Sequence, residues 1–183
     1  PEPLFWRATT DNDRGFAQSF HSGMWFAASL ARKCVDCKME ESKNQVRVSF
    51  TYKFSIHSEI EVQNDYTVFP NGNVRVISPY KGTENLPQMP TFAVSFKIPA
   101  DYHQLEWYAM GPEENYSDRA MGARLGIFKN HVTDNLSGYL MPQESGNRTG
   151  VRHVNVTNRK GHGLKISSVG QPLECNVSPY QAF

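Results

Sequence analysis

The sequence predicts an all-β protein, an antiparallel β-sandwich with one notable helix near residues 16–33. Three observations predict it. From Gln45 onward apolar and polar residues alternate with a period of two, the pattern of a strand with one dry and one wet face. An Asn71-Gly72 pair, tolerant of the positive φ a tight turn needs, separates two such runs. Only one stretch repeats its apolar residues every three to four positions. With 183 residues, 39% of them hydrophobic, the chain buries one core and hardly two, so one domain over 1–183 is expected.

The elements follow in order. Phe16, Phe20, Met24, Ala27 or Ala28, and Ala31 mark an amphipathic helix, with Asn12 and Asp13 as candidate caps at its start. Val46, Val48, Phe50, Tyr52 and Phe54 then alternate with Gln45, Arg47, Ser49, Thr51 and Lys53. Ile60, Val62, Tyr66 and Val68 repeat the pattern with a polar interruption at Asn64, and Val74 and Val76 continue it beyond the turn. A Pro-rich connection at 79–90 leads to a strand with Phe92, Val94, Phe96 and Ile98 on one side. Leu105 to Ala109, Leu164 to Ser168 and Leu173 to Val177 are shorter strands, and the last is expected to run on to Phe183, as in a chain cut within an element. One-sided strands with one helix make a sandwich.

Composition excludes several functions. Nineteen basic against 18 acidic residues give a net charge of +1 with no long run of either sign, which is no footprint for nucleic acid or an anionic membrane. No apolar run approaches the roughly 18 residues that cross a bilayer. Cys34 and Cys37 form a C-x-x-C pair and Cys175 stands alone, so the second knuckle of a zinc site is missing and reduced thiols are expected. Six histidines lie scattered without a ligand spacing, and no G-x-S-x-G elbow or phosphate-cradling glycine loop is present.

Three polar clusters remain. GPEENYSDR at 111–119 gathers Glu113, Glu114 and Asp118 beside Asn115, Tyr116 and Arg119, and could hold the acid and nucleophile of glycoside hydrolysis, roughly 5 Å apart. Neighbouring side chains diverge, however, and a turn with acids at a helix start explains the same residues. DNDRG at 11–15 places Asp11, Asn12, Asp13 and Arg14 after Leu4-Phe5-Trp6, where they serve as helix caps or as ion-pair partners that include Arg7. In the loop at 141–149, Gln143, Glu144, Asn147 and Arg148 offer groups that bind hydroxyls, or make an ordinary polar turn. No cluster is a complete catalytic machine.

The motifs WRATTDNDRG at 6–15, GPEENYSDR at 111–119 and PQESGNRT at 142–149 together resemble the small chain, or fifth domain, of glycoside hydrolase family 2 β-galactosidases, over nearly the whole chain. The resemblance implies a truncated antiparallel supersandwich similar to galactose mutarotases. It implies a bacterial, cytoplasmic enzyme of retaining two-glutamate chemistry that hydrolyses β-D-galactosides such as lactose, both glutamates sitting in a TIM barrel or large subunit outside this chain. The catalytic portion is then the partner, and no catalytic residue is expected here. Gly111 matches the hinge of a mobile loop beside the galactoside pocket, and Glu114, Asn115, Tyr116, Asp118 and Arg119 match residues that hold that loop. Magnesium or sodium serves the full enzyme, with no ligand set and no cofactor in this chain. The family's sugar-stacking tryptophan falls beyond Phe183, and Trp6, Trp25 and Trp107 stand in the wrong places to replace it, so galactose binding by the chain alone is expected to be weak. Exposed strand edges point to an oligomer. The competing reading is an independent carbohydrate-binding or mutarotase-like module, for which no paired acid and base stands out.

Overall fold

The structure, a computed structural model, describes residues 1–181. Its strands pair antiparallel throughout, as the alternation predicts. The chain divides into two compact units, one built from Pro1–Arg7 and Asn12–Lys97, the other from Ala8–Asp11 and the chain from Ile98 onward. Among the described residues no helix is long and apolar enough to cross a membrane.

In the first unit, β2 (Arg32–Ser42), β3 (Gln45–Phe54), β4 (His57–Val68) and β5 (Val74–Ile77) form one sheet in chain order. The meander follows from its turns. At the β4–β5 turn the Gly72 amide donates to the Phe69 carbonyl at 3.0 Å and the Phe69 amide to the Asn73 carbonyl at 2.9 Å, with Gly72 at φ 84°. This is a three-residue loop with glycine in the left-handed position and Pro70 where φ is already set. β1 (Glu2–Leu4) pairs with β6 (Ala93–Ser95). The core collects Phe5, Trp6, Trp25, Ala28, Tyr52, Phe54, Ile60 and Val62, drawing on the apolar face of β3 and β4. Phe5 is its centre, 5.0 Å from Phe54 edge-on, 5.3 Å from Trp25 and 5.9 Å from Phe92 in a stack. Rings of this size bury about 150–250 Å² each, which makes this cluster the dominant apolar contribution to the unit.

The helix expected over 16–33 is instead two short helices, α2 (Gln18–His21) and α3 (Gly23–Leu30), preceded by a third, α1 (Asp11–Gly15), and followed at Arg32 by β2. The breaks have local causes. Ala17 takes the left-handed conformation at φ 53°, and Ser22 with Gly23 interrupts the second junction. Phe16 and Phe20, which carried the periodicity, are 77% and 87% exposed, so that stripe has no core to face. Asn12 and Asp13 lie inside α1 rather than capping a longer helix. α3 is the helix that reaches the core: Trp25 Nε1–H donates to the Pro87 carbonyl at 2.9 Å, and Ser29 Oγ accepts the Phe5 amide at 3.0 Å.

The second unit holds a four-stranded sheet in the order β11 (Gly163–Ser167), β10 (His153–Thr157), β7 (Gln104–Gly111), β8 (Arg124–His131), and a two-stranded sheet of β12 (Leu173–Cys175) with β9 (Arg148–Val151). Leu105, Trp107, Ala109, Val132, Val151, Val154 and Val156 form its core. Perfect alternation along β7 puts Leu105, Trp107 and Ala109 inward. The final strand, expected to run to Phe183, ends at Cys175, and Ala182 and Phe183 lie outside the described residues. The polar residues that follow Cys37, as far as Ser42, belong to β2, where charged side chains suit an edge strand.

Candidate functional site: a carboxylate-centred lattice between two loops

Two of the three motifs meet in the second unit. GPEENYSDR leaves the end of β7, and PQESGNRT leads into β9. Between them Glu114, little exposed, is bonded through both carboxylate oxygens. Oε1 accepts from Arg119 Nη2 at 2.7 Å and from the Tyr139 hydroxyl, and Oε2 accepts from the Gly146 amide at 2.6 Å. Arg119 also donates to the Tyr139 oxygen at 2.6 Å and lies over the Tyr116 and Tyr139 rings at 5.0 and 5.6 Å. The cluster is a carboxylate clasped by a guanidinium, a phenol and a backbone amide. Charge-assisted bonds of this kind are the strong ones.

Asn115 completes the clasp. Its Nδ2 donates to the Met110 and Glu113 carbonyls, both at 2.9 Å, and its Oδ1 accepts from the Thr149 amide at 2.9 Å and hydroxyl at 2.6 Å. The backbones of the two loops join as the Asn115 amide donates to the Asn147 carbonyl at 2.9 Å while Asn147 Nδ2 returns a bond to the Asn115 carbonyl at 3.0 Å. Buried Arg148 donates to the Gly146 and Asn147 carbonyls, both at 3.2 Å, and sits 5.6 Å over the Trp107 ring. Asn135 donates through Nδ2 to the Val177 carbonyl at 2.7 Å. An asparagine suits this role because it offers donors and acceptors at once.

Two glycines are required by geometry. Gly146 takes φ 84°, and a Cβ there would stand 2.6 Å from the Asn135 carbonyl oxygen. Gly111 ends β7 opposite Arg124, outside the left-handed region, and a Cβ would stand 2.8 Å from the Phe128 ring. Space, not a special dihedral, selects glycine at 111.

The electrostatics follow from this wiring. Burial pushes the Glu114 carboxyl up, but hydrogen bonds from Tyr139, the Gly146 amide and Ser137, with the Arg119 charge, hold it below the usual carboxylate range. Burial first, then the negative charges of Glu114 and Glu144, push the Tyr116 phenol up. Burial and the bond to Glu114 push Tyr139 up. Burial lowers the Arg148 guanidinium. Glu114 is therefore an ionised carboxylate with its lone pairs engaged, which is poor chemistry for a nucleophile or a proton donor.

The predicted residues divide accordingly. Gly111, Glu114, Asn115, Tyr116, Arg119, Asn147 and Arg148 come together, whereas Glu113 and Asp118 are exposed and take no side-chain part in the lattice. Glu144 accepts from Asn176 at 2.9 Å, and Gln143 accepts the Asp11 amide at 2.8 Å. Asp13 pairs with Arg7 at 2.5 Å in the first unit, the ion pair the DNDRG motif suggested; Asn12 and Arg14 are in α1. Tyr139, Thr149 and Asn135 were missed. Tyr139 stands three residues before the PQESGNRT motif, and that nearness was the available sign.

Comparison with known proteins gives the family of the chain. A family model described as the β-galactosidase small chain matches residues 1–183. A β-galactosidase of Halalkalibacterium halodurans is 62% identical over 186 residues, covering 100% of this chain and 18% of the relative. One from Lactobacillus delbrueckii subsp. bulgaricus is 35% identical over 184 residues, again 100% of this chain and 18% of the relative. A β-galactosidase small subunit of Latilactobacillus sakei is 29% identical over 213 residues, covering 100% of this chain and 66% of the subunit. The chain thus spans about a fifth of the long curated relatives, the 18% just given. A match from the first residue to the last, carrying all three motifs, places this chain in the β-galactosidase small-chain family.

Proposed function

We propose that this chain is the accessory portion of a bacterial, cytoplasmic β-galactosidase, one that shapes the rim of a galactoside pocket while another part of the enzyme performs the hydrolysis. The observation that supports this most is the state of its best carboxylate. Glu114 is saturated by Arg119, Tyr139 and the Gly146 amide, so it acts as a staple between two loops. The segment it holds, Pro112 to Arg119, follows Gly111 and corresponds to the pocket-side loop of the resemblance.

The division of labour has a physical rationale. A retaining glycosidase needs two carboxyl groups facing each other across the glycosidic bond, one free to give a proton and one free to attack. Glu113 and Asp118 are exposed on the surface rather than enclosed in a cleft. The two glutamates are assigned to the portion outside this chain, as are the magnesium or sodium ions of the complete enzyme, and no cofactor is assigned to this chain. Its contribution is a loop preorganised before substrate arrives. The test is hydrolysis of a chromogenic β-galactoside by the purified chain alone and after mixing with the catalytic portion of a related enzyme. Silence alone and turnover on mixing are expected; turnover by the chain alone, in a preparation free of contaminating galactosidase, overturns the reading. Saturable galactose binding by the chain alone would instead favour a free-standing sugar-binding module.

A further inference from the structure

The C-x-x-C pair takes on a different meaning once its strand is seen. In a regular strand, residues three apart point to opposite faces of the sheet. In β2 the register runs Cys34 opposite Tyr52, Asp36 opposite Thr51 and Cys37 opposite Phe50, with a bulge that leaves Val35 without a partner. The extra residue changes the parity. Tyr52 and Phe50 are two apart on β3 and share one face, so Cys34 and Cys37 share it too. Asp36 and Lys38 are turned to the other face, where they pair at 3.2 Å.

Three further observations bear on what the pair can hold. Both thiols are free and exposed, and β2 is an edge strand, open on one side. The Cys34 S–H donates to the Asp36 carbonyl at 3.5 Å, which turns its sulfur along the strand toward the peptide that joins Asp36 to Cys37. One step beyond Cys37 on the same face stands Met39, opposite Val48 and 70% exposed, a thioether beside two thiols. Among the described residues no group of three or more His, Cys, Asp and Glu side chains converges, so the pair does not build the four-ligand tetrahedron zinc demands. Two thiols on one face of an edge strand, with no third His, Cys, Asp or Glu side chain converging on them, suit a soft ion that accepts low coordination.

We infer that Cys34 and Cys37 form a two-thiolate site for a soft metal ion of the Cu(I) type, assembled by the β-bulge at Val35. On binding, each thiol releases its proton to solvent and two S–Cu bonds form, with no change in oxidation state. Cys175 takes no part: it packs, partly buried, against the core of the second unit, and burial pushes its thiol up to about 11.

The test titrates the complete, reduced 183-residue chain with Cu(I) under anaerobic conditions against a chromogenic Cu(I) chelator, folding being followed by circular dichroism. About one equivalent should be withheld from the chelator, and Cys34→Ser or Cys37→Ser should each weaken retention about tenfold or more, while Cys175→Ser leaves it unchanged. The double change Asp36→Cys with Cys37→Ser brings the second thiol nearer in sequence but moves it to the opposite face. It should fail to retain Cu(I) in native buffer and regain it in urea, where faces no longer exist. Lys38→Cys with Cys37→Ser repeats the trial at a second position, should the first variant not fold. Retention by the native chain no stronger than that of a Cys34→Ser/Cys37→Ser chain overturns the site. Native retention by a folded face-swapped chain equal to that of the unaltered protein overturns the role of the bulge.

Discussion

The two units reach order by different routes. The first packs rings: Phe5, Trp25, Phe54 and Phe92 gather about one centre, and its four-stranded sheet is a plain meander in chain order. The second has a smaller apolar core and adds a lattice of side-chain bonds to backbone, with Glu114, Asn115, Asn147 and Arg148 as its knots. Packing tolerates substitution by residues of similar volume, whereas a buried polar lattice demands particular donors and acceptors. The unit with the lattice is also the one that carries the loop we propose to border the pocket. A loop of exposed backbone can be held in one shape by directional bonds where it has no apolar face to bury.

The largest effect should come from the rings. Trp25→Ala removes a buried indole and its bond to the Pro87 carbonyl, at a cost of about 3–5 kcal/mol to the first unit. Denaturation read by proton resonances of each unit should show the loss confined to the first, and equal losses in both would erase the contrast. Next comes Asn115→Ala, which strands the Met110 and Glu113 carbonyls and the Thr149 amide and should cost about 2–4 kcal/mol in the second unit. Activity of the assembled enzyme should fall with it, and an unchanged urea midpoint would show that the lattice does not carry stability.

Glu114→Gln is subtler, about 1–3 kcal/mol at neutral pH, because a neutral amide replaces a charge held by Arg119 and Tyr139. Its signature is in acid. The folded carboxyl titrates below its ordinary value of 4.5, so its contribution is complete above about pH 4.5 and is lost as pH falls through the lower folded value. The unaltered protein should lose stability in that window more steeply than the Gln variant, and parallel curves would remove Glu114 from the lattice. The smallest effect belongs to Asp118→Asn: an exposed carboxylate outside the lattice, it should shift stability by less than about 0.5 kcal/mol. A loss of turnover in the assembled enzyme without loss of stability would give Asp118 a contact with the catalytic portion.

The same contrast explains how much could be read in advance. Alternation along Gln45–Phe54 is a local signal of a buried face, and β3 and β4 were legible from it. The periodicity from Phe16 to Ala31 was real, but its first half, Phe16 and Phe20, had no core to meet, so Ala17 and Ser22 could break it. β2 was hidden because its bulge resets the alternation midway. In the lattice, the motifs pointed to Glu114, Asn115 and Arg119, yet partners such as Tyr139 and the Gly146 amide are 25 and 32 residues away from Glu114, and most bonds end on backbone, which carries no residue identity to read.

Trp107 has a practical consequence. The chain has three tryptophans; Trp6 and Trp25 are in the core of the first unit, and Trp107 is alone in the second. That indole is 1% exposed, donates to Asn130 at 2.9 Å and lies under the guanidinium of Arg148, itself one of the knots of the lattice. Its fluorescence is thus a resident optical gauge. A sealed indole emits toward the blue, and loosening around Arg148 would admit water and move the emission red. The loop that leaves β7 would then report its own ordering by light, with no label.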